Sequence, residues 1–256
     1  ATFRTADIVG LDVLLHVVKN IYANIPHDES RESYRVPALV EEMARRGMLG
    51  DKTGQGFYRR VKKDGSSEIL TLDVNSLEYR PRQKAKFASL ELGKSIDDTR
   101  ERLRALVAPI LAAQPADKAQ KFIWGGLSEM CLYAARRVPE ISDHLADVDR
   151  AMRWGFGWEL GPFELMDAIG VRAFAAQLEK EGRSLPPLLT KLLASGRDSF
   201  YTAEQGKAAC FDLATAAAKP VAEPPGVLIL KSLKDASREV DRNAGASLID
   251  LGDGVV

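Results

Sequence analysis

The side chains best suited to acid–base or metal chemistry in this 256-residue chain are its three histidines, and their spacing argues against both. His16, His27 and His144 are far apart, and none stands in a Ser-His-Asp or His-Glu arrangement. His16 falls in an apolar helical stretch, where we expect a structural or half-exposed histidine. His144 follows Asp143 near a predicted helix start, where a capping role is enough to explain it.

Charged residues around Pro139 are the remaining acid–base candidates. The group consists of Arg136, Arg137, Glu140, Asp149 and Arg150. We interpret it as a network of structural ion pairs, because clusters of this kind are more often structural than catalytic. Cys131 and Cys210 have no metal-binding spacing, and we expect them to be reduced thiols of a cytoplasmic protein.

Two glycine-rich runs resemble nucleotide-binding loops at first sight. GMLGDKTGQGF at 47–57 lacks the Gly-Lys-Ser/Thr ending of a phosphate loop, and we expect a glycine-hinged turn between a helix and a hairpin. GFGWELG at 155–161 has the wrong glycine spacing for a dinucleotide site. We expect its neighbouring aromatic residues, Trp154, Phe156 and Trp158, to fill a core. The sequence thus predicts no catalytic, cofactor-binding or metal-binding residue in this chain.

Charge and hydropathy argue against several classes of function. Lysines and arginines number 36 and acidic residues 36, so no basic field favours nucleic acid or an acidic membrane. No apolar run approaches the ~20 residues of a membrane span. Nothing at the N-terminus resembles a secretory signal. We therefore predict a cytoplasmic chain without nucleic-acid partners or membrane spans.

The elements that would have to position any site are repeated along the chain. ATFRTADIVGLDV at 1–13 aligns with GPFELMDAIGVRA at 161–173, RVPALVEEMARRG at 35–47 aligns with SLPPLLTKLLASG at 184–196, and Gln55-Gly56 and Gln205-Gly206 extend the match. We expect two copies of one helical unit that pack against each other, because each copy alone has an apolar face to cover.

Helical periodicity dominates both copies. Apolar residues recur at helical spacing from Asp7 to Asn24, and Pro37 and Gly47 mark the start and the end of the next helix. Another helix is predicted from about Asp117 to Arg136. Its glycine pair at 125–126 indicates either close helix packing or a surface that a ligand approaches.

A small β-hairpin is predicted in the first copy. Its strands are Phe57 to Val61 and Ile69 to Leu72, joined by a turn at Asp64-Gly65. The fold class that follows is all-α, with two tandem helical copies and this one hairpin.

Both ends of the chain look interrupted at the level of sequence. A long helical run precedes the second copy at 117–160, whereas the first copy begins directly at its aligned element, so we expect an N-terminally truncated copy. The last residues, SLIDLGDGVV, resemble the first hairpin of another domain that follows the linker AEPPG.

Several of these segments resemble one enzyme family. GPFELMDAIGV at 161–171, TADIVGLDV at 5–13 and GDKTGQGFYRR at 50–60 are similar to the C-terminal helical domain of 3-hydroxyacyl-CoA dehydrogenases. The segment 117–167 resembles the second, divergent copy of longer bifunctional members. NAGASLIDLGDGVV at 243–256 is similar to the entry into a crotonase-like enoyl-CoA hydratase domain.

The resemblance implies a division into four parts. These are a truncated first helical copy with its hairpin (1–80), connecting helices (81–116), a second helical copy (117–219), and a linker with the start of a truncated crotonase-like domain (220–256). In such proteins a separate Rossmann domain binds NAD and supplies the catalytic residues, so none is assigned to this chain. Ile123-Trp124 stands where an Asn-Arg pair often occurs in first copies, and the substrate-binding role of that asparagine is not carried over.

The function implied is that of the substrate-side or dimerisation portion of an NAD-dependent 3-hydroxyacyl-CoA dehydrogenase/enoyl-CoA hydratase of fatty-acid β-oxidation. In the full-length protein the reaction would convert a 3-hydroxyacyl-CoA to a 3-ketoacyl-CoA. The implied partners are acyl-CoA, the chain's own Rossmann and crotonase domains, and a second copy in a homodimer. This chain alone is expected to bind no NAD and to be inactive. One alternative is a non-catalytic helical dimerisation or scaffold module, and another is a related helical dehydrogenase domain that acts on a different acid.

Overall fold

The computed structural model describes residues 2–63, 65–204, 207–222, 226–228 and 230–256. The chain divides into two compact units, residues 1–85 and residues 86–256. Each unit contains one of the sequence copies.

The first unit places three helices before a three-stranded sheet. Its elements are α1 (Thr2–Val9), α2 (Leu11–Asn24), α3 (Ala38–Arg45), β1 (Tyr58–Lys63), β2 (Ser66–Leu72) and β3 (Tyr79–Pro81), with short 3-10 helices at Arg31–Tyr34 and Asp51–Thr53. The sheet is an antiparallel meander in the order β1-β2-β3. Its core consists of Leu11, Met43, Met48, Phe57 and Leu72.

The local signals in this unit act as the sequence predicts. Pro37 occupies the position before the first residue of α3, where its fixed φ suits a helix entry, and Gly47 follows the helix with φ 72°. The hairpin pairs Tyr58 with Thr71 and Lys63 with Ser66. Asp64 of the predicted turn lies outside the described residues.

The second unit contains the longer helical part of the chain. Its helices are α4 (Ala88–Lys94), α5 (Thr99–Leu111), α6 (Lys118–Arg136), α7 (Leu145–Phe156), α8 (Pro162–Ile169), α9 (Val171–Lys180), α10 (Pro187–Ala194) and α11 (Leu230–Asp235). Its strands are β4 (Tyr201–Glu204), β5 (Lys207–Asp212) and β6 (Ala217–Pro220) in one antiparallel sheet, and β7 (Glu239–Arg242) and β8 (Ser247–Ile249) in another.

Helix α6 begins where the sequence predicts because Asp117 caps it. The Asp117 side chain accepts a hydrogen bond from the Gln120 amide, and the Gln120 side chain accepts one from the Asp117 amide in return. The apolar side of α6 then packs into a core that includes Trp124, Phe163 and Phe174. The Trp124 and Phe174 rings meet edge to face at 5.4 Å.

The predicted all-α class is wrong. Eight strands in three antiparallel sheets accompany the helices in the described part of the chain, so the fold is a mixed α/β one. The composition of the sheet in the second unit explains why the sequence did not predict it. Its strands KAACFD and AAKP contain few of the β-branched residues that usually mark strands. Each strand of this sheet instead pairs with its neighbour in sequence.

The order of elements repeats between the units. Two helices joined at a glycine, a third helix and a three-stranded meander occur as α1-α2-α3-β1-β2-β3 and again as α8-α9-α10-β4-β5-β6. Gly10 and Gly170 occupy the two helix junctions, each with φ 98°, a conformation that side chains with a Cβ rarely adopt. Gln205-Gly206, included in the sequence match, lie outside the described residues.

Candidate functional site

One aspartate in the first unit ties its first helix to its first strand. The Asp7 carboxylate accepts hydrogen bonds from the backbone amides of Phe57 at 2.8 Å and Tyr58 at 2.9 Å. Asp7 is 1% exposed, so these amides satisfy a carboxylate that water cannot reach. We call this arrangement the aspartate anchor.

The second unit contains the same anchor, built from Asp167. This carboxylate accepts from the amides of Phe200 at 2.7 Å and Tyr201 at 2.9 Å, and from the Ser199 hydroxyl at 2.7 Å. Burial raises the pKa of Asp167, and the three donors oppose that rise. Each anchor therefore fixes the start of a strand against a helix that lies far from it in sequence.

An aromatic pair accompanies each anchor. The rings of Phe3 and Phe57 lie 4.6 Å apart in the first unit, and those of Phe163 and Phe200 lie 5.1 Å apart in the second. Phe163 is fully buried, whereas Phe3 is 56% exposed. The pairs show that Phe57-Tyr58 corresponds to Phe200-Tyr201, an equivalence that the sequence comparison missed.

The repeated dipeptide Phe-Tyr was the signal for this equivalence. It occurs at 57–58 and at 200–201, in each case after a glycine- or serine-containing turn and after an aligned aspartate. The sequence comparison followed the Gln-Gly pairs instead.

A second buried carboxylate, Asp149, is specific to the second unit. It lies on α7 at 2% exposure and accepts from the amides of Phe163 at 2.9 Å and Glu164 at 3.2 Å. It also accepts from the Tyr201 hydroxyl at 2.7 Å. Burial raises the pKa of Asp149 to about 7, against the lowering effect of these three donors.

The surroundings of Asp149 favour a structural role. Burial, together with the nearby Asp149 carboxylate, raises the pKa of the Tyr201 hydroxyl and of the Cys131 thiol. Both groups therefore stay protonated, and Tyr201 donates its proton to Asp149 as a hydrogen bond. Through these hydrogen bonds Asp149 joins α7, α8 and β4.

An open groove of the second unit is lined mainly by apolar side chains. It has a volume of about 440 Å³ and lies between α5, α6 and the segment from Gly157 to Leu165. Leu106, Ile123 and Leu127 line its wall, and Trp158 stands at its edge. The neighbouring Trp124 turns into the core and donates to Glu181 at 2.7 Å, so Ile123 alone of the Ile-Trp pair faces the groove.

The structure does not assemble the histidines into a site. His16, His27 and His144 are all exposed. His144 occupies the position before α7 as predicted, but the Ser142 hydroxyl, rather than the imidazole, makes the hydrogen bonds there.

The predicted charge network separates into unrelated contacts. Arg137 pairs with Glu140 at 2.8 Å, and Arg150 pairs with Asp147 at 3.5 Å. Asp149 takes part in neither pair, because it faces the interior.

Two expectations about packing are wrong. Trp154 and Phe156 are 72% and 73% exposed, and Trp158 is 37% exposed, so they do not fill a core. Gly125 and Gly126 have no heavy atom within 4 Å of an added Cβ, so close helix packing does not explain them. An apolar run predicts burial only where a neighbouring element covers that face, and here none of the described residues does so.

Cys131 and Cys210 are free and buried. Among the described residues, no cluster of histidine, cysteine and carboxylate side chains could hold a metal ion. No helix in that part of the chain is long and apolar enough to cross a membrane.

The glycine-rich run at 47–57 does not have the element order of a dinucleotide site. It leads from α3 through a 3-10 turn into β1, whereas a dinucleotide site needs a strand that leads into a helix N-terminus. The predicted glycine-hinged turn between a helix and the hairpin is confirmed.

Comparison with known proteins gives one family. Residues 1–60 and 127–209 match the C-terminal domain of 3-hydroxyacyl-CoA dehydrogenase. These two stretches cover both sequence copies.

The names of individual relatives agree with this family. The chain is 40% identical over 255 residues to a protein of Bacillus subtilis named as a 3-hydroxyacyl-CoA dehydrogenase, covering 100% of this chain and 31% of that protein. It is 26% identical over 165 residues to a Rickettsia felis protein named as a fatty acid oxidation complex trifunctional enzyme, which covers 64% of this chain and 21% of that protein. A Deinococcus radiodurans protein, also named as a 3-hydroxyacyl-CoA dehydrogenase, is 42% identical over 64 residues, 25% of this chain and 18% of its own length.

Proposed function

This chain belongs to the family of 3-hydroxyacyl-CoA dehydrogenase C-terminal domains, and on that premise we propose that it is the helical portion of an NAD-dependent 3-hydroxyacyl-CoA dehydrogenase. In the full-length protein, a 3-hydroxyacyl-CoA would be oxidised to the 3-ketoacyl-CoA, with transfer of a hydride to NAD. The observation that carries the proposal is the family match to both copies, together with the 40% identity over the whole chain.

The proposed contribution of this chain is packing on the substrate side and between domains or subunits. Its exposed aromatic residues on α6 and α7, Phe122 at 82% and Trp154 at 72%, support this, because large apolar side chains left on a surface commonly mark contact sites. The buried carboxylates Asp7 and Asp149 support it too, since their hydrogen-bond donors are backbone amides and a tyrosine hydroxyl of the fold.

We further propose that NAD and the catalytic side chains belong to a separate Rossmann domain, and that a crotonase-like hydratase domain is part of the same protein. The chain spans 31% of the Bacillus subtilis relative, which leaves room for both in a protein of that length. A cytoplasmic location is part of the same proposal.

Enzyme assays test this division of labour. The protein expressed from its complete reading frame should oxidise NADH when a 3-ketoacyl-CoA is added, whereas the 256-residue chain alone should show no turnover. Circular dichroism of the isolated chain is the control for folding. Turnover by the isolated chain would contradict the proposal.

The coding sequence on either side of the region that encodes this chain provides a second test. A strand-turn-helix with the Gly-x-Gly-x-x-Gly fingerprint supports the enzyme. A complete reading frame without that fingerprint, combined with no NADH oxidation, would favour the helical dimerisation or scaffold module instead.

A further inference from the structure

We propose that the first unit contains a binding site for an organic phosphate monoester, formed by Arg4, Arg60 and Arg82. These three residues line one cavity of about 660 Å³, together with Tyr58 and Ile69. The volume is within the range of small-molecule sites.

Sheet register explains why two of the arginines meet. Arg60 on β1 lies opposite Ile69 on β2, and Pro81 on β3 lies opposite Leu70. The next residue, Arg82, therefore lies beside Ile69 on the side of β2 that faces away from β1. Because side chains alternate between the faces of a strand, Arg60 and Arg82 flank Ile69 on one face.

The third arginine comes from helix α1 and is held in place. Arg4 makes a two-pronged pair with Asp51, with nitrogen–oxygen distances of 2.5 and 2.8 Å. Asp7, one turn further along α1, anchors the amide of Tyr58 on β1. The aspartate anchor thus fixes the helix that carries Arg4 against the strand that carries Arg60, and such preorganisation lowers the entropy cost of binding.

The charge at the cavity suits one phosphate monoester. Three guanidinium groups and the single carboxylate of Asp51 line it, which leaves an excess of two positive charges. In the described part of the chain, Arg60 and Arg82 have no acidic partner, unlike Arg80 nearby, which pairs with Asp73 at 3.0 Å. A phosphate monoester carries about −1.5 to −2 charges at pH ~7, and guanidinium groups match its oxygens in pairs.

The walls of the cavity favour an organic ester over free phosphate. Ile69 is 48% exposed, a large apolar side chain beside two arginines, and the Tyr58 ring lines the same space. Both offer apolar surface to the organic part of a ligand, which inorganic phosphate lacks. This site does not require the proposed enzyme activity, because its arginines and apolar walls are side chains of this chain.

Titration calorimetry on the whole chain tests the site with three probes. These are inorganic phosphate, coenzyme A, and coenzyme A without its 3′-phosphate, which keeps the diphosphate but lacks the monoester. We expect saturable binding of coenzyme A that is at least about tenfold tighter than that of either other probe. The double variant Arg60→Gln/Arg82→Gln should weaken coenzyme A binding by at least about tenfold.

Arg59→Gln is the matched control. It removes the same charge from the same strand, but Arg59 lies on the opposite face, over the Tyr79 ring, so coenzyme A binding should be unchanged. Equal affinity of the wild-type chain and the double variant would overturn the proposal. Equal affinity for coenzyme A with and without its monoester would overturn it too, as would equal affinity for inorganic phosphate or no saturable binding.

Discussion

The carboxylates Asp7 and Asp149, which are buried, and Asp167, which is partly buried, show how an acid can tie a helix to backbone amides far from it in sequence. Each accepts hydrogen bonds from backbone amides at the start of a strand or a helix, where these amides have no acceptor within their own element. For Asp149 and Asp167, burial raises the pKa of the carboxyl group and the hydrogen bonds lower it. For Asp149 the balance places the pKa at about 7, which gives the second unit a titration in the neutral range.

The stability of the second unit should therefore decline as the pH rises from about 4 to about 7. The unfolded Asp149 carboxyl has an ordinary pKa of ~3.9, so between these values the folded state retains a proton that the unfolded state has lost. The contribution of Asp149 to the free energy of unfolding is complete below about pH 4. It falls by up to about 4 kcal/mol as the pH rises to about 7, and it changes no further above that value. Urea unfolding, followed by tryptophan fluorescence at several pH values, measures it.

Asp149→Asn should flatten that decline. Asp147→Asn is the control, because Asp147 lies on the same helix, is exposed, and should leave the slope unchanged. An Asp149→Asn variant with the wild-type slope would show that another group is responsible.

Phe163 provides a second prediction at this scale. Its ring is fully buried against Phe200, so Phe163→Ala should lower the free energy of unfolding by ~3–5 kcal/mol. Phe156→Ala, at 73% exposure, is the control and should cost less than about 1 kcal/mol. All three tryptophans lie in the second unit, so their fluorescence reports its unfolding. A loss below about 1 kcal/mol for Phe163→Ala would place the ring outside the core.

Helices whose first residues are marked by a capping residue or a proline are the part of the fold that the sequence predicts well. Asp117 and Pro37 mark helix starts through chemistry that acts within a few residues. The sheet β4-β5-β6 was missed although each of its strands pairs with its neighbour in sequence, because its alanine-rich strands have no local preference for extended structure. Trp154 was misplaced for a related reason, since an apolar residue does not show which face another element will cover.

The site shows the same division between local and distant information. Sequence patterns correctly dismiss the glycine-rich run at 47–57 as a phosphate loop, because that judgement needs only the order of neighbouring elements. The cavity between Arg4, Arg60 and Arg82 depends on strand register and on the position of α1, which no short motif encodes.

The glycines of α6 lead to a prediction about that helix. Gly126→Ala should raise the free energy of unfolding by about 0.5–1 kcal/mol, because an added Cβ meets only open space and alanine restricts the unfolded chain. Gly161→Ala is the opposite case, since its Cβ would collide with the backbone of Asp149 and should destabilise the second unit. Urea unfolding of both variants measures the two changes. A destabilised Gly126→Ala would indicate that another surface covers this part of α6.

Each of the two units has a core of its own. The core of the second unit includes Leu103 and Val107 of α5, and the Arg104 guanidinium donates to the carbonyl of Ala168 at 2.7 Å. These contacts join α5 to the second unit. The division at 81–116 into separate connecting helices stays a prediction that digestion can test.

Limited trypsin digestion should cut first between residues 82 and 86. This segment has exposed Arg82, Lys84 and Lys86 and lies outside the helices and strands. We expect a resistant fragment that begins near Lys86 and retains α5, because exposed irregular segments are preferred sites of cleavage. Mass spectrometry identifies the fragments. Early cuts within 99–111 would instead support a loose connector.

The aspartate anchors have a consequence for how such a duplicated protein can diverge. Asp7 reaches its amide partner across 50 residues and Asp167 across 33. By loop-closure entropy the longer span costs only about 0.4 kcal/mol more, which is less than one ordinary hydrogen bond contributes. Insertions between an anchoring aspartate and its amide partner should therefore change the stability little. Evolution can lengthen and remodel this stretch in one unit while the corresponding stretch of the other unit stays short.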